Sequence, residues 1–173
     1  MSRARDPARQ PALVRSPRTF DLNRNIRETT KHFRDYAGTN AIISTSLAAP
    51  LPLFHGFSDT IERATTALLC YSLRCLNKQP GIIGIKTGIR YFPSVEHPGT
   101  YTFLEIFDTG ASVDQRIRRQ TIKDSESVLV AVMNAVKEHD GDIDIQPVHD
   151  GYLTTLLLSA ERNISGKRPR DDP

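Results

Sequence analysis

Residues 81 to 92 alternate. Ile83, Ile85, Thr87, Ile89 and Tyr91 fall on one side, and Gly84, Lys86, Gly88 and Arg90 on the other. A period of two is that of a β-strand with one apolar face. In "YTFLEIFDTG", Tyr101, Phe103 and Phe107 share one side and Leu104 and Ile106 the other. Two apolar faces predict a central or doubly covered strand, returning beside the first as a hairpin. "NAIISTSL" opens as a third strand, and Pro50 and Pro52 then stop any ladder. "LPLFHGF" is predicted to be an apolar loop. "DIDIQPV" and "GYLTTLLLSA" supply two last strands, the former with the alternation of an edge strand.

Helical spacing takes over in "SDTIERATTALLCYSLRCLN", where Ile61, Ala64, Leu68, Leu69, Leu73 and Leu76 form one stripe. Asp59 followed by Glu62 has the capping-box arrangement, and Pro80 bounds the helix at its far end. A second helix is predicted in "SESVLVAVMNAVKEHDG". Its stripe is Val128, Leu129, Val132, Met133 and Val136, Lys137 and His139 suit its C-terminal dipole, and Gly141 ends it. A looser helical pattern, Leu22, Ile26 and Phe33, runs from Phe20 to Tyr36 and stops at Gly38. The expected fold class is α+β: a compact single domain with a mostly antiparallel sheet packed by two main helices.

Composition divides the 173 residues unevenly. Residues 1–19 hold three prolines, five arginines and few apolar side chains, the make-up of a disordered arm. Residues 1–34 carry nine Lys or Arg against three acids, whereas 35–163 carry eleven bases against fifteen acids. The expected organisation is a basic, largely disordered arm at 1–34, an α+β core at 35–163 and a disordered polar tail at 164–173. Arg3, Arg5, Arg9, Arg15 and Arg18 make the arm a candidate polyanion contact, for RNA or anionic lipid alike. Arg116, Arg118 and Arg119, in "VDQRIRRQTIKD", are either a solvated loop face or a second such contact. Lys167, Arg168 and Arg170 form a short cluster of the kind importins read.

Catalytic and cofactor chemistry finds little foothold. "PGIIGIKTGIRYFP" holds its glycines inside an alternating strand, whereas a phosphate loop needs them in a turn that opens a helix. Asp140, Asp142 and Asp144 lack the Gly and Glu that complete a calcium loop. The five histidines show no metal-ligand spacing, and Cys70 and Cys75 diverge on a helix as core thiols. The expectation is a protein with no enzymatic activity, cofactor or metal. No apolar run approaches the ~20 residues of a membrane span.

The order of elements resembles that of rhabdovirus matrix proteins, in length the short type of plant cytoplasmic rhabdoviruses. A mobile basic arm precedes "AIISTSL", "PLPLF", the helix "SDTIERATTALLCYSLRCLN", the turn "KQP", the strand "GIIGIKTGIRYF" and then "GTYTFLEIFDTGASV", all within residues 41–113. The resemblance implies a structural virion protein that self-associates, condenses ribonucleoprotein and contacts an anionic membrane surface. It would be located in the virion, at host cytoplasm and internal membranes, and, through the C-terminal cluster and an importin, in the host nucleus. An RNA-binding viral accessory protein, a silencing suppressor or movement protein, is the alternative, and a cellular adaptor domain a third reading. For self-association the expected surface is the strip Gly84, Lys86, Gly88 and Arg90, receiving from a neighbour either the arm or the segment of Leu51, Leu53 and Phe54.

Overall fold

The computed structural model describes residues 16–93, 98–110, 126–148 and 151–159. Asp21 sets the first helix. Its side chain accepts the Arg24 N–H at 3.1 Å, satisfying a donor that the helix start leaves open. The helix α1 spans Leu22–Ala37 and ends at Gly38, whose φ of 62° is a backbone state that glycine adopts without a Cβ clash. Leu22, Ile26, Phe33 and Ala37 face the core. Thr29 and Thr30, also buried, bond back to the carbonyls of Asn25 and Ile26 within the helix. The boundary expected after residue 34 therefore falls inside α1, and residues 18–37 belong to the folded domain.

Strand β1, Arg18–Phe20, pairs antiparallel with β3, Phe54–Gly56, in a small separate sheet. The stretch expected to be an apolar loop thus contains a strand. Phe54, 2% exposed, packs its ring 5.9 Å from that of Phe20.

The main sheet has the order β2-β4-β5-β7-β6, with β2 Ala41–Leu47, β4 Gly81–Phe92, β5 Gly99–Asp108, β6 Asp142–Val148 and β7 Gly151–Ser159. The hairpins β4–β5 and β6–β7 are antiparallel, as is β5–β7 at the centre, and only β2 lies parallel to its neighbour, in register Ala41 to Gly81. The class expected from sequence holds, with β5 central and β6 at an edge. The chain between β2 and β4 supplies helix α2, Ser58–Cys75, and the chain between β5 and β6 supplies α3, Glu126–Glu138. Among the described residues three helices, one more than the two expected as main packing elements, share one core with one face of the sheet. Ile61, Ala64, Leu68 and Leu69 of α2 and Val132 and Val136 of α3 meet Ile83, Ile85, Leu104, Ile106, Leu156 and Leu158 there.

The cap of α2 differs from expectation. Phe57 is the N-cap with no side-chain bond, and Asp59 lies in the first turn, 3.4 Å from Arg63. Thr87, the one hydroxyl on the inward face of β4 between Ile83 and Ile89, is satisfied by donating to Asn23 Oδ1 at 2.7 Å, while Asn23 Nδ2 donates to Ala48 O at 2.6 Å. This buried pair ties α1 to β4 and to the end of β2.

Candidate functional site

The central strand ends at a carboxylate. Asp108, 2% exposed, accepts the Gly110 N–H on Oδ1 at 3.1 Å, the two-residue reach by which Asp closes a turn. Thr109 clamps the turn to β4: its N–H donates to Ile82 O at 3.1 Å, and its Oγ1 accepts the Ile82 N–H at 2.9 Å. A Cβ on Gly110 would stand 2.6 Å from the Cys75 carbonyl at the end of α2, so glycine is what lets the turn seat against that helix. The start of β7 comes equally close, since Gly151 lies directly on the Asp108 carbonyl. The carboxylate is thus fixed by β4, α2 and β7 together. It sits on the helix side of the sheet, where the chain leaves β5 on its way to α3. In sequence these residues only end a strand, and the one signal they offer is an Asp-x-Gly triplet directly after an apolar run.

A second polar cluster joins α2 to α3. His139, 2% exposed, donates from Nδ1 to Ala135 O at 2.8 Å and accepts the Phe57 N–H on Nε2 at 3.1 Å, which places the ring proton on Nδ1. Thr60 Oγ1 donates to Glu138 Oε2 at 2.6 Å beside it. The ring spends both nitrogens on backbone groups, so its role is to hold the start of α2 against the end of α3 rather than to suit a helix dipole. Among the described residues no group of His, Cys, Asp or Glu is arranged to hold a metal. Cys70 and Cys75 are unbridged, and burial pushes the Cys70 thiol up against the opposing pull of Arg74.

The outer face of the sheet gathers the strip expected for self-association. Gly84, Lys86, Gly88 and Arg90 do share that face, opposite Phe107, Glu105, Phe103 and Tyr101. The strip is not open at Gly88, because the Phe103 ring lies there, 2.5 Å from where a Cβ would be. Arg90 covers the ring from 4.8 Å, and Lys86 and Arg90 flank Glu105 at 3.9 and 3.6 Å. Of the segment expected to dock on it, Leu53 is 58% exposed, Leu51 packs against the core and Phe54 is buried in its own subunit. Phe54 cannot be lent to a neighbour without opening that core. Arg18 lies exposed on β1. Arg3, Arg5, Arg9, Arg15, Arg116, Arg118, Arg119, Lys167, Arg168 and Arg170 lie outside the described residues.

No family model and no curated protein matches the sequence. Solved structures do match the fold. The catalytic domain of histidine kinase ThkA, in a nucleotide-free form, superposes with a TM-score of 0.66 at 13% identity, covering 83% of this chain and 95% of that one. The mycobacterial sensor histidine kinase MprB gives 0.62 at 17% identity, with 82% and 96% covered. ThkA in complex with the response regulator TrrA gives 0.62 at 14% identity, with 82% and 41% covered.

These likenesses overturn the viral reading. The strand, Pro–Phe segment, helix, turn and strand that suggested a matrix protein are satisfied here by β2, β3, α2 and β4 of another topology. The segment assigned to a mobile arm supplies β1 and α1 of that topology. With the matrix protein go the virion and host-cell locations, the ribonucleoprotein, membrane and importin partners, and the RNA-binding accessory alternative. The expectation of no enzymatic activity is corrected on the same finding, since the matching chains are kinases or their catalytic domains. The fold of this chain is that of histidine kinase catalytic domains.

Proposed function

We propose that this chain is a nucleotide-binding signalling domain of the histidine kinase catalytic type, with the nucleotide held over the Asp108 turn. The observation that carries the reading is Asp108 itself. It is a buried carboxylate at the end of the central strand, set by Gly110, Thr109 and Gly151 within a fold that spans 95% of an isolated kinase catalytic domain. Carboxylate oxygens accept hydrogen bonds, so Asp108 suits a ligand edge that donates them, as the amine-bearing edge of a purine does. The frame around the turn leaves little freedom to lose on binding, which favours recognition. ThkA has been captured with a response regulator, and a signalling protein of that kind is the partner class this reading implies.

Titration calorimetry with ATP and ADP tests it. The expected result is saturable binding, weakened by at least about tenfold in Asp108→Asn. The amide oxygen of Asn can still accept the Gly110 N–H, so the turn survives, but its –NH2 presents a donor where the ligand donates. Absence of saturable binding at millimolar nucleotide, or equal binding by the variant, would sink the reading.

A further inference from the structure

We infer that the free edge of β2, together with the adjoining side of α1, is a docking groove for an acidic polypeptide segment that binds as an added β-strand. The main sheet has two edges, and they differ in chemistry. β6 carries Asp142, Asp144 and Pro147, the charges and proline that discourage strand addition. β2, "AIISTSL", carries neither charge nor proline.

Its hydrogen-bonding groups can be assigned. Gly81 N–H bonds to Asn40 O at 3.1 Å and Ala48 N–H to Thr87 O at 3.3 Å, at the two ends of the parallel ladder. Main-chain groups alternate in direction along a strand, so Ile42, Ser44 and Ser46 face β4, whereas Ala41, Ile43, Thr45 and Leu47 present theirs outward. Among the described residues no strand pairs with that side. Arg34 Nη2 donates to the Ile43 carbonyl there at 3.3 Å.

That contact identifies the flanking wall. Asn23 reaches Ala48 and Arg34 reaches Ile43, so α1 runs antiparallel along the whole of β2. Arg27, Lys31 and Arg34, spaced four and three apart, fall on one side of the helix. Arg34 shows that this side borders the free edge. All three are exposed. Of the two acids on this stretch of the helix, Glu28 is already engaged by Arg24 at 2.9 Å and Asp35 stands beside Lys31 and Arg34, so the row keeps a net positive charge. A row of cations beside open backbone groups fits an extended segment that supplies main-chain bonds and alternate carboxylates. Ile42, 68% exposed on the outer face, offers apolar contact to its remaining side chains. A second copy of β2 would bring Arg34 toward the same cationic row, so charge favours an acidic partner over self-pairing.

Fluorescence anisotropy on the whole chain tests this, with a labelled peptide as long as the seven residues of β2, alternating glutamate and valine, and a lysine-for-glutamate control. Binding of the acidic peptide alone is expected, falling with added salt. The triple variant Arg27→Glu, Lys31→Glu, Arg34→Glu should weaken it by about tenfold or more. Thr45→Pro should do likewise while circular dichroism stays unchanged, because the lost N–H faces outward and the ladder to β4 keeps its bonds. No binding at millimolar peptide, equal binding of both peptides, or insensitivity to the triple variant would overturn the assignment. So would a sedimenting dimer that Thr45→Pro dissolves, which would give the edge to a second copy.

Discussion

Two glycines on the same face of β4 have different surroundings. A Cβ at Gly84 would meet Phe107 at 3.5 Å, an ordinary contact, whereas one at Gly88 would strike the Phe103 ring. Gly84→Ala is expected to melt close to the parent. Gly88→Ala must push a ring that is 4% exposed and covered by Arg90, at a cost of about 1–3 kcal/mol in urea unfolding. Equal midpoints for the two variants would show that the ring moves freely. His139→Ala is expected to cost about 2–4 kcal/mol, since it leaves the Phe57 N–H without its acceptor and opens a cavity between α2 and α3. A thermal melt matching the parent would remove His139 from its structural role. Neither role is legible in sequence. Gly88 and His139 look like part of an open docking strip and a helix-end charge until Phe103 and Phe57 arrive from distant parts of the chain.

The elements themselves were legible where burial follows a period. The α2 stripe and the β4 alternation announce themselves because Ile61, Ala64, Leu68 and Leu69, and Ile83 and Ile85, keep their periods unbroken, even with Thr60, Thr65 and Ser72 also buried on α2. Helix α1 is fainter because Asn23, Thr29 and Thr30 occupy inward positions and satisfy themselves by local or tertiary hydrogen bonds. Strand β3 is three residues among prolines, too short for any period to register. The capping box at Asp59 and Glu62 is a correct pattern in the wrong place, because the chain enters α2 through β3 and the Phe57 N–H turns to His139. The working cap is Asp21, so Asp21→Ala should cost about 1 kcal/mol in a urea titration. No measurable change would mean that β1 alone fixes the start of α1.

For the whole molecule, topology carried the information that sequence could not. The parallel pairing of β2 with β4, and the joining of two hairpins through β5 and β7, bring together segments whose local patterns give no hint of partners. The Asp108 turn exists only as a product of that arrangement. No local spacing marks it, because its glycines are justified by Cys75 and the Asp108 carbonyl rather than by a phosphate loop. The same topology corrects the arm. Deletion through residue 34 removes Leu22, Ile26 and Phe33, each 4% exposed or less, and should abolish cooperative unfolding. A folded product from that deletion would return α1 to the status of an appendage.

The lone parallel strand also imposes an order of assembly. The hairpins β4–β5 and β6–β7 close over short connections, but β2 can zip onto β4 only after the whole of α2 has been gathered between them. Long loops delay pairing, so β2 should join last and detach first. Native-state hydrogen exchange should find the Ile42, Ser44 and Ser46 amides opening well before those at the centre of β5. If they prove equally slow, the sheet opens only as a unit. If they open early, the edge nearest Arg34 is also the segment that the folded protein releases most often.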